Sequence, residues 1–316
     1  MNATGPTRAA FLRMLAGGMF VAGRAPAAEP GRSHDAMPST VILTRPIPST
    51  GEAMPVIGLG TWQVFDIGID RAARQPLREV LRLLLDGGGK MIDTSPMYGR
   101  AEAVTGDLLA EVGSRQRAFL ATKVWTTGRE RGIDQMRRSA QLLCPEVIDL
   151  IQIHNLVDWR THLATLRQMK EEGRVRYVGI THYTTEALPD LARILQTEPG
   201  IDFVQFGYSL ATRAPETELL PVAAERGVAV IANQPFEQGS LFRRVRGRAL
   251  PEWAGEFDCT SWAQLFLKYL LAEPAVTCVI PATGNPAHMK DNLGAGFGRL
   301  PDARQRQQIR QLWETA

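Results

Sequence analysis

The chain has 316 residues, of which 44% are apolar and 22% are charged, and these fractions exclude a disordered chain. A formal net charge of +3 is too small to indicate nucleic-acid binding. Three scattered cysteines form neither a disulfide framework nor a metal-ligand pattern, and no apolar run of roughly 18 residues predicts insertion into a membrane. We therefore expect a monomer or weak oligomer, without metal, that acts on a small molecule.

The first segment of the chain differs in composition from the remainder. Basic residues up to Arg13 are followed by an apolar run, Met14–Gly23, and by small residues at Ala25–Ala27. This order is typical of a secretory signal. We expect residues 1–36 to be a targeting segment outside the fold and the protein to be periplasmic or otherwise exported. The alternative is a cytoplasmic protein whose true start is Met37.

After Pro55 the sequence alternates short apolar runs with amphipathic stretches. The apolar runs predict eight strands, at Val56–Thr61, Lys90–Thr94, Phe119–Val124, Leu150–His154, Tyr177–His182, Phe203–Tyr208, Val228–Ala232 and Thr277–Ile280. The amphipathic stretches predict eight helices, at Pro76–Asp86, Glu102–Val112, Ile133–Leu143, Thr161–Glu172, Glu186–Leu195, Glu216–Glu225, Ser261–Leu271 and Asp302–Glu314.

This alternation predicts an α/β protein, a (β/α)₈ TIM barrel formed as one domain over residues 37–316, which is near the usual length of about 250 residues. A doubly wound open sheet is the alternative. Such a sheet is expected to begin with a glycine-rich dinucleotide turn, whereas Gly58–Gly60 is followed by Gln63 where that pattern requires glycine. Before the first strand, Val41–Arg45 and Glu52–Val56 predict a β-hairpin that caps one end of the barrel.

Four polar residues stand at or after the ends of consecutive predicted strands: Asp93, Tyr98, Lys123 and His154. A lysine within an apolar strand needs a partner for its ammonium, and Asp93 on the neighbouring strand is the natural one. The ammonium is expected to lower the pKa of Tyr98 and so to favour proton transfer, while His154 could donate a hydrogen bond to a substrate oxygen. Taken singly, each residue also has an ordinary structural interpretation, such as a cap, a loop aromatic or a structural ion pair.

Five motifs together resemble the aldo-keto reductases over about residues 41 to 300. They are Ile57–Trp62, Asp93–Gly99, Ala121–Lys123, Asp149–His154 and Gly173–Gly179. The resemblance implies a (β/α)₈ barrel that binds a nicotinamide cofactor without a Rossmann fold. It also implies reduction of aldehydes or ketones to alcohols, with hydride from NADPH or NADH.

The same resemblance implies roles for the four polar residues. Tyr98 would be the proton donor, Lys123 would tune its pKa while held by Asp93, and His154 would orient the carbonyl. A further set would bind the cofactor: Gly60, Thr61, Thr181, His182, Gln205, Asn233, Gly239, Ser240, Leu241, Pro281, Thr283, His288 and Asn292. Trp62, Trp125, Leu156 and Trp159 would line an apolar pocket for a hydrophobic carbonyl compound.

The chain departs from the family at several cofactor positions. His182 and Asn233 stand where the family has asparagine and tyrosine, and Ala282 and His288 replace the lysine and arginine that hold the 2′-phosphate of NADPH. We therefore expect poor discrimination between NADPH and NADH. The same departures leave an alternative open, in which the chain is a non-catalytic regulatory protein that binds a cofactor or ligand on this fold.

Overall fold

The structure is a computed structural model that describes residues 41–315. The predicted targeting segment, residues 1–36, lies outside the described residues. Export, and the predicted domain boundary at residue 37, therefore stay predictions.

The described chain begins with a two-stranded antiparallel hairpin of β1 (Thr44–Pro46) and β2 (Ala53–Pro55). The intervening turn is closed by the Ile47 carbonyl, which accepts hydrogen bonds from the amides of Thr50 and Gly51. Gly51 has a φ of 77°, a left-handed conformation that glycine adopts without steric cost. The predicted hairpin is confirmed.

Eight parallel strands follow the hairpin. They are β3 (Leu59–Gly60), β4 (Met91–Asp93), β5 (Phe119–Val124), β6 (Ile148–His154), β7 (Val175–His182), β8 (Phe203–Gly207), β9 (Ala229–Asn233) and β10 (Val276–Val279). Each strand pairs in parallel with the next along the chain. Parallel bridges from Ile57 to Val279 and from Gly60 to Ala282 join the first strand to the last. The sheet thus closes on itself, which confirms the predicted (β/α)₈ barrel.

Ten α-helices lie within residues 41–315. They are α1 (Arg71–Asp86), α2 (Ala101–Val112), α3 (Arg129–Leu143), α4 (Trp159–Glu171), α5 (Leu188–Thr197), α6 (Leu219–Glu225), α7 (Ser240–Arg244), α8 (Trp262–Leu271), α9 (Pro286–Gly294) and α10 (Ala303–Thr315). None of these helices combines the length and apolarity that crossing a bilayer requires.

The first helix begins five residues earlier than predicted. Its N-cap is Asp70, whose carboxylate accepts hydrogen bonds from the amides of Ala72 and Ala73. A capped first turn satisfies amides that have no partner within the helix, so the helix extends ahead of Pro76. The prediction that it starts at Pro76 was therefore wrong.

The eighth helix of the outer ring is α9 rather than the predicted C-terminal helix. It contacts both α1 and α8, and so completes the ring. Its nine residues include only three buried ones, among them Met289 and Leu293, and this short stripe gives a weak helical pattern in the sequence. The helix α10 is additional to the eight helices of the ring, and ion pairs from Arg306 and Arg310 to Glu216 hold it in place.

The hairpin fills the end of the barrel at which the strands begin. The hairpin residues Ile47 and Met54 pack in one cluster with the inward side chains Met91, Phe119, Ala121, Leu150, Tyr177, Phe203, Ala229, Ile231, Cys278 and Ile280. The Tyr177 hydroxyl lies 2.6 Å from a Glu52 carboxylate oxygen and 2.8 Å from the Thr50 hydroxyl, which fastens the hairpin to the barrel. The apolar plug leaves the carboxyl ends of the strands as the place for polar side chains.

Candidate active site

The inward positions of the strands change from apolar to polar toward their carboxyl ends. Because side chains alternate along a strand, Lys123 follows Ala121 on the inner face of β5. Gln152 on β6 is paired with Lys123, and Gln205 on β8 follows the inward Phe203. The interior therefore has an apolar layer near the hairpin and a buried polar layer above it.

Lys123 and Asp93 form an ion pair in this polar layer, as the sequence predicts. The ammonium lies 2.8 and 2.7 Å from the two Asp93 carboxylate oxygens and 2.8 Å from the Thr94 carbonyl, so each of its three protons has an acceptor. Both side chains are buried. Burial favours the neutral amine, but Asp93 and Tyr98 outweigh it and raise the pKa of Lys123, which keeps the ammonium charged.

Two glutamines complete the surroundings of the Asp93 carboxylate. The Gln152 amide donates to Asp93 at 3.3 Å and to Gln205 Oε1 at 2.6 Å, and the Gln205 amide donates to Asp93 at 3.4 Å. Gly179 leaves room for Gln152, because a Cβ there would lie 2.9 Å from Gln152 Cγ. Gln152 is not among the predicted site residues, although a glutamine inside the apolar run that ends at His154 is a visible signal.

Tyr98 lies in the loop between β4 and α2, close to the ion pair. Its amide donates to the Ser95 carbonyl at 3.0 Å, and the Lys123 ammonium lies 5.0 Å from the centroid of its ring. Burial raises the pKa of Tyr98, and this effect outweighs the lowering by Lys123. The expected net lowering of the Tyr98 pKa was therefore wrong, although the ammonium does act in that direction, and Tyr98 is a protonated phenol at neutral pH.

His154 ends β6 and meets Tyr98 edge to face, with ring centroids 6.0 Å apart. Its Nδ1 atom lies 3.2 Å from the Ser95 hydroxyl oxygen. Burial, with the nearby charges of Lys123 and His182, lowers the pKa of His154 to about 3. The imidazole is therefore neutral at physiological pH, able to donate a hydrogen bond from one ring nitrogen.

The four predicted catalytic side chains line one cavity of about 1040 Å³. Trp62 and nine of the predicted cofactor residues also line it: Gly60, Thr61, Thr181, Gln205, Asn233, Gly239, Thr283, His288 and Asn292. A cavity of this size, with convergent polar groups at one end, is suited to a small organic ligand.

Seven predicted site residues do not line this cavity: Trp125, Leu156, Trp159, His182, Ser240, Leu241 and Pro281. Leu241 is fully buried in the core between the barrel and its helices. The amide of Trp125 binds the Gln135 side chain, and the indole is exposed. The ring of His182 stacks on that of Tyr183, and Tyr183 lines the cavity in its place.

Several residues that line the cavity were not predicted from the sequence, among them Met97, Asn155, Tyr183, Phe242, Trp262 and Asp291. Asn155 and Tyr183 directly follow predicted residues at strand ends, so their position was a usable signal. The side-chain oxygens of Asn155 and Asn233 are buried and have no hydrogen-bond partner among residues 41–315. Buried polar groups are normally paired, so such amides mark places for a ligand.

The charges of the cavity are unevenly distributed. Apart from Lys123, whose protons are all engaged, no lysine or arginine lines it in the part of the chain that the structure describes. Asp291 lines it as well, and its carboxylate accepts a hydrogen bond from the Gln264 amide at 2.8 Å. Over residues 41–315, no group of His, Cys, Asp and Glu side chains is arranged to hold a metal ion.

Two loops at the cavity contain residues other than glycine in the left-handed conformation. Asn155, Leu156 and Asp158 follow His154 with φ values of 51°, 56° and 46°. Beyond β9, a second such run includes Gln234, Glu237 and Gln238 with φ values of 52°, 48° and 52°. Contacts hold both runs in place: Asp158 accepts a hydrogen bond from the Gly128 amide at 2.7 Å, and the Ser209 hydroxyl donates to Glu237 at 2.7 Å. The backbone at the mouth is thus strained and well supported.

Removing one charge of the buried ion pair should destabilise the protein strongly. In Asp93→Asn, the Lys123 ammonium keeps its charge in a dry site, and we expect the free energy of unfolding to fall by about 3–5 kcal/mol. The double variant Asp93→Asn/Lys123→Met, which has no buried charge, should regain most of this loss. Urea unfolding of both variants and of the parent protein measures these free energies of unfolding. A double variant less stable than Asp93→Asn would show that the unpaired ammonium is not the cause of the loss.

The low pKa of His154 predicts a loss of stability in acid. Because this pKa is about 3 in the folded protein and 6.5 ordinarily, the unfolded chain binds the extra proton as the pH falls below 6.5. The free energy of unfolding should therefore fall by about 2 kcal/mol between pH 7 and pH 5 through this group. Urea unfolding at several pH values measures it, with His154→Gln as the control. An equally steep decline in the control would refute the assignment.

With this geometry established, comparison with known proteins gives a consistent result. The model of the Aldo/keto reductase family matches residues 56–314. A methylglyoxal reductase of Escherichia coli is 27% identical over 250 residues, which are 76% of this chain and 84% of that protein. A 9,11-endoperoxide prostaglandin H2 reductase of Trypanosoma cruzi is 27% identical over 263 residues, 80% of this chain and 86% of that protein.

Solved structures show the same likeness. The crystal structure of an aldo/keto reductase from Klebsiella pneumoniae, in complex with NADP and acetate, superimposes with a TM-score of 0.70. It is 27% identical, and the match covers 83% of this chain and 93% of that one. With the family model spanning the whole barrel, these results show that the chain belongs to the aldo/keto reductase family.

Proposed function

We propose that the protein reduces aldehydes or ketones to alcohols with a reduced nicotinamide cofactor. The observation that carries this proposal is the buried Lys123–Asp93 pair, which faces Tyr98 and His154 at one cavity. A charged ammonium, a protonated phenol and a neutral imidazole together suit protonation of a carbonyl oxygen. The NADP complex of the Klebsiella pneumoniae relative supports the choice of cofactor.

The lining suits the nicotinamide part of such a cofactor. Thr181, Gln205 and Asn233 come from three neighbouring strands, and the Asn233 side-chain oxygen has no hydrogen-bond partner in the described part of the chain. These residues would hold the carboxamide and the ring, and Gly239 would offer a backbone donor to the diphosphate. When bound, the cofactor supplies the hydride, because no side chain can.

The remaining chemistry belongs to the side chains. Tyr98, kept protonated by burial, would donate its hydroxyl proton to the carbonyl oxygen as negative charge develops there. The Lys123 ammonium would stabilise the phenolate that remains, which makes the proton easier to release in the transition state. Neutral His154 would donate a hydrogen bond to the same oxygen and so orient the carbonyl.

The substrate side of the cavity favours a hydrophobic carbonyl compound. Trp62, Met97, Tyr183 and Phe242 line it and are exposed at its mouth. Exposed methionine and aromatic side chains of this kind present apolar area to a ligand. Aromatic aldehydes and quinones are therefore suitable test substrates. Methylglyoxal is a third, because one relative is named a methylglyoxal reductase.

Substitution of Tyr98, the proposed proton donor, should greatly lower the rate of turnover. We expect Tyr98→Phe to lower kcat for aromatic aldehydes by about 10²–10⁴-fold, the usual contribution of a positioned general acid. The assay follows oxidation of NADPH and NADH by the full chain at saturating aldehyde. Tyr183→Phe is a matched control, since it removes a hydroxyl from the same cavity without touching the ion pair.

Two outcomes would contradict this proposal. Equal loss in both tyrosine variants would show that Tyr98 has no special role. No turnover by a folded wild-type protein, together with a cofactor or ligand retained on purification, would favour the alternative of a non-catalytic binding protein. The observation that favours this alternative is that, among residues 41–315, no lysine or arginine other than the engaged Lys123 lines the cavity.

The charges of the cavity predict weak preference for the phosphorylated cofactor. In the part of the chain that the structure describes, a 2′-phosphate would meet no lysine or arginine in the lining except the fully engaged Lys123, and Asp291 would repel it. We expect dissociation constants for NADPH and NADH within about tenfold of each other, since charge-assisted contacts worth about 1.5–3 kcal/mol each are missing. Fluorescence titration under equal conditions measures both. His288→Arg should tighten NADPH alone, and a hundredfold preference of the wild type for NADPH would refute the hypothesis.

A further inference from the structure

Ser95 is a buried hydroxyl placed between two of the proposed catalytic residues along the chain. It follows Asp93 by two residues and precedes Tyr98 by three. Its side chain is fully buried, and its oxygen lies 3.2 Å from Nδ1 of His154. This is a direct contact between a residue with no role in the proposed reaction and the imidazole that would face the carbonyl.

The protons of this contact can be assigned by counting donors and acceptors. The Met97 amide donates to the Ser95 oxygen at 3.4 Å, so the hydroxyl already accepts one hydrogen bond. Its own proton has His154 Nδ1 as the one acceptor given by the structure among residues 41–315. If Nδ1 carried the imidazole proton, the serine proton would be left without an acceptor in a site that water does not reach.

We propose that Ser95 is a positioning residue that donates its hydrogen bond to Nδ1 and thereby holds His154 in the tautomer protonated at Nε2. That tautomer leaves an N–H group to face the cavity that His154 lines. The opposite tautomer would present a lone pair there and repel a carbonyl oxygen. The same hydrogen bond fixes the rotation of the His154 ring. Histidine ligands of metals are oriented similarly, by a hydrogen bond at the ring nitrogen that does not bind the metal.

The neutral state of the imidazole makes this assignment matter. Burial, with Lys123 and His182, lowers the pKa of His154 to about 3, so the ring carries one proton at neutral pH and the choice of nitrogen decides which side can donate. Without the serine hydroxyl, no hydrogen-bond partner on the Nδ1 side would distinguish the two tautomers within residues 41–315. The effect on catalysis rests on the proposed function, whereas the tautomer itself does not.

Nitrogen-15 NMR of the histidine rings tests the tautomer directly. In the full chain labelled on histidine, at neutral pH, we expect a pyridine-like Nδ1 and a pyrrole-like Nε2 for His154, assigned by the signals that His154→Gln removes. In Ser95→Ala both signals should move toward the averaged values of a tautomer mixture. Ser95→Thr, which keeps a hydroxyl, should restore the wild-type pattern.

Kinetics tests the consequence. Ser95→Ala should lower kcat/KM for the aldehyde by about tenfold, as the loss of an orienting hydrogen bond does elsewhere. The dissociation constant for NADH should stay unchanged, because the serine does not line the cavity. Ser95→Thr should recover most of the rate, which a role in folding alone would not explain.

Each result decides the matter. A pyrrole-like Nδ1 in the wild type, or a tautomer that Ser95→Ala leaves unchanged, overturns the assignment. An altered tautomer with kcat/KM within twofold of the wild type overturns the positioning role. If the wild type shows the expected tautomer but reduces no carbonyl compound, the proposed function fails while the assignment of Ser95 to the histidine stands.

Discussion

The buried ion pair between Lys123 and Asp93 is the constraint on which the site depends. Charges removed from water must be matched by hydrogen bonds, and here the Thr94 carbonyl and two glutamines supply them. The apolar hairpin plug keeps the other end of the barrel interior dry. A lysine charge held in this way acts on its neighbours through a medium of low dielectric, so it influences Tyr98 and His154 far more than a surface lysine could.

Much of this arrangement follows from local rules. The alternation of strands and helices predicts the barrel, and a lysine within an apolar strand predicts its partner. Gln152, a polar residue within an apolar run, could also have been identified by the rule that applies to Lys123, and it contacts Asp93. The role of Ser95 is harder to predict, because this loop residue contacts His154 only through the tertiary fold. The short helix α9 escapes prediction because the tertiary contacts of its ring neighbours, more than its own pattern, stabilise it.

The pKa of Tyr98 shows that a correct prediction of neighbouring residues can still give the wrong direction of a pKa shift. The ammonium does lower this pKa, but burial of the phenol raises it by more. The proximity of Lys123 to Tyr98 can be predicted from the positions of two strands in the sequence. The burial of the Tyr98 phenol cannot, because it depends on how the whole barrel and its loops pack. The result suits reduction better than the expected one, because a group that starts protonated can give its proton away.

The left-handed runs after His154 and beyond β9 have a consequence for how ligands enter. Their conformational cost is met when the chain folds, so a ligand need not order these loops as it arrives. Glycine at Gln238 would relieve the torsional strain at that position. The same change would widen the range of shapes that the mouth samples. Relief of strain and readiness to bind are therefore opposed at such a backbone position.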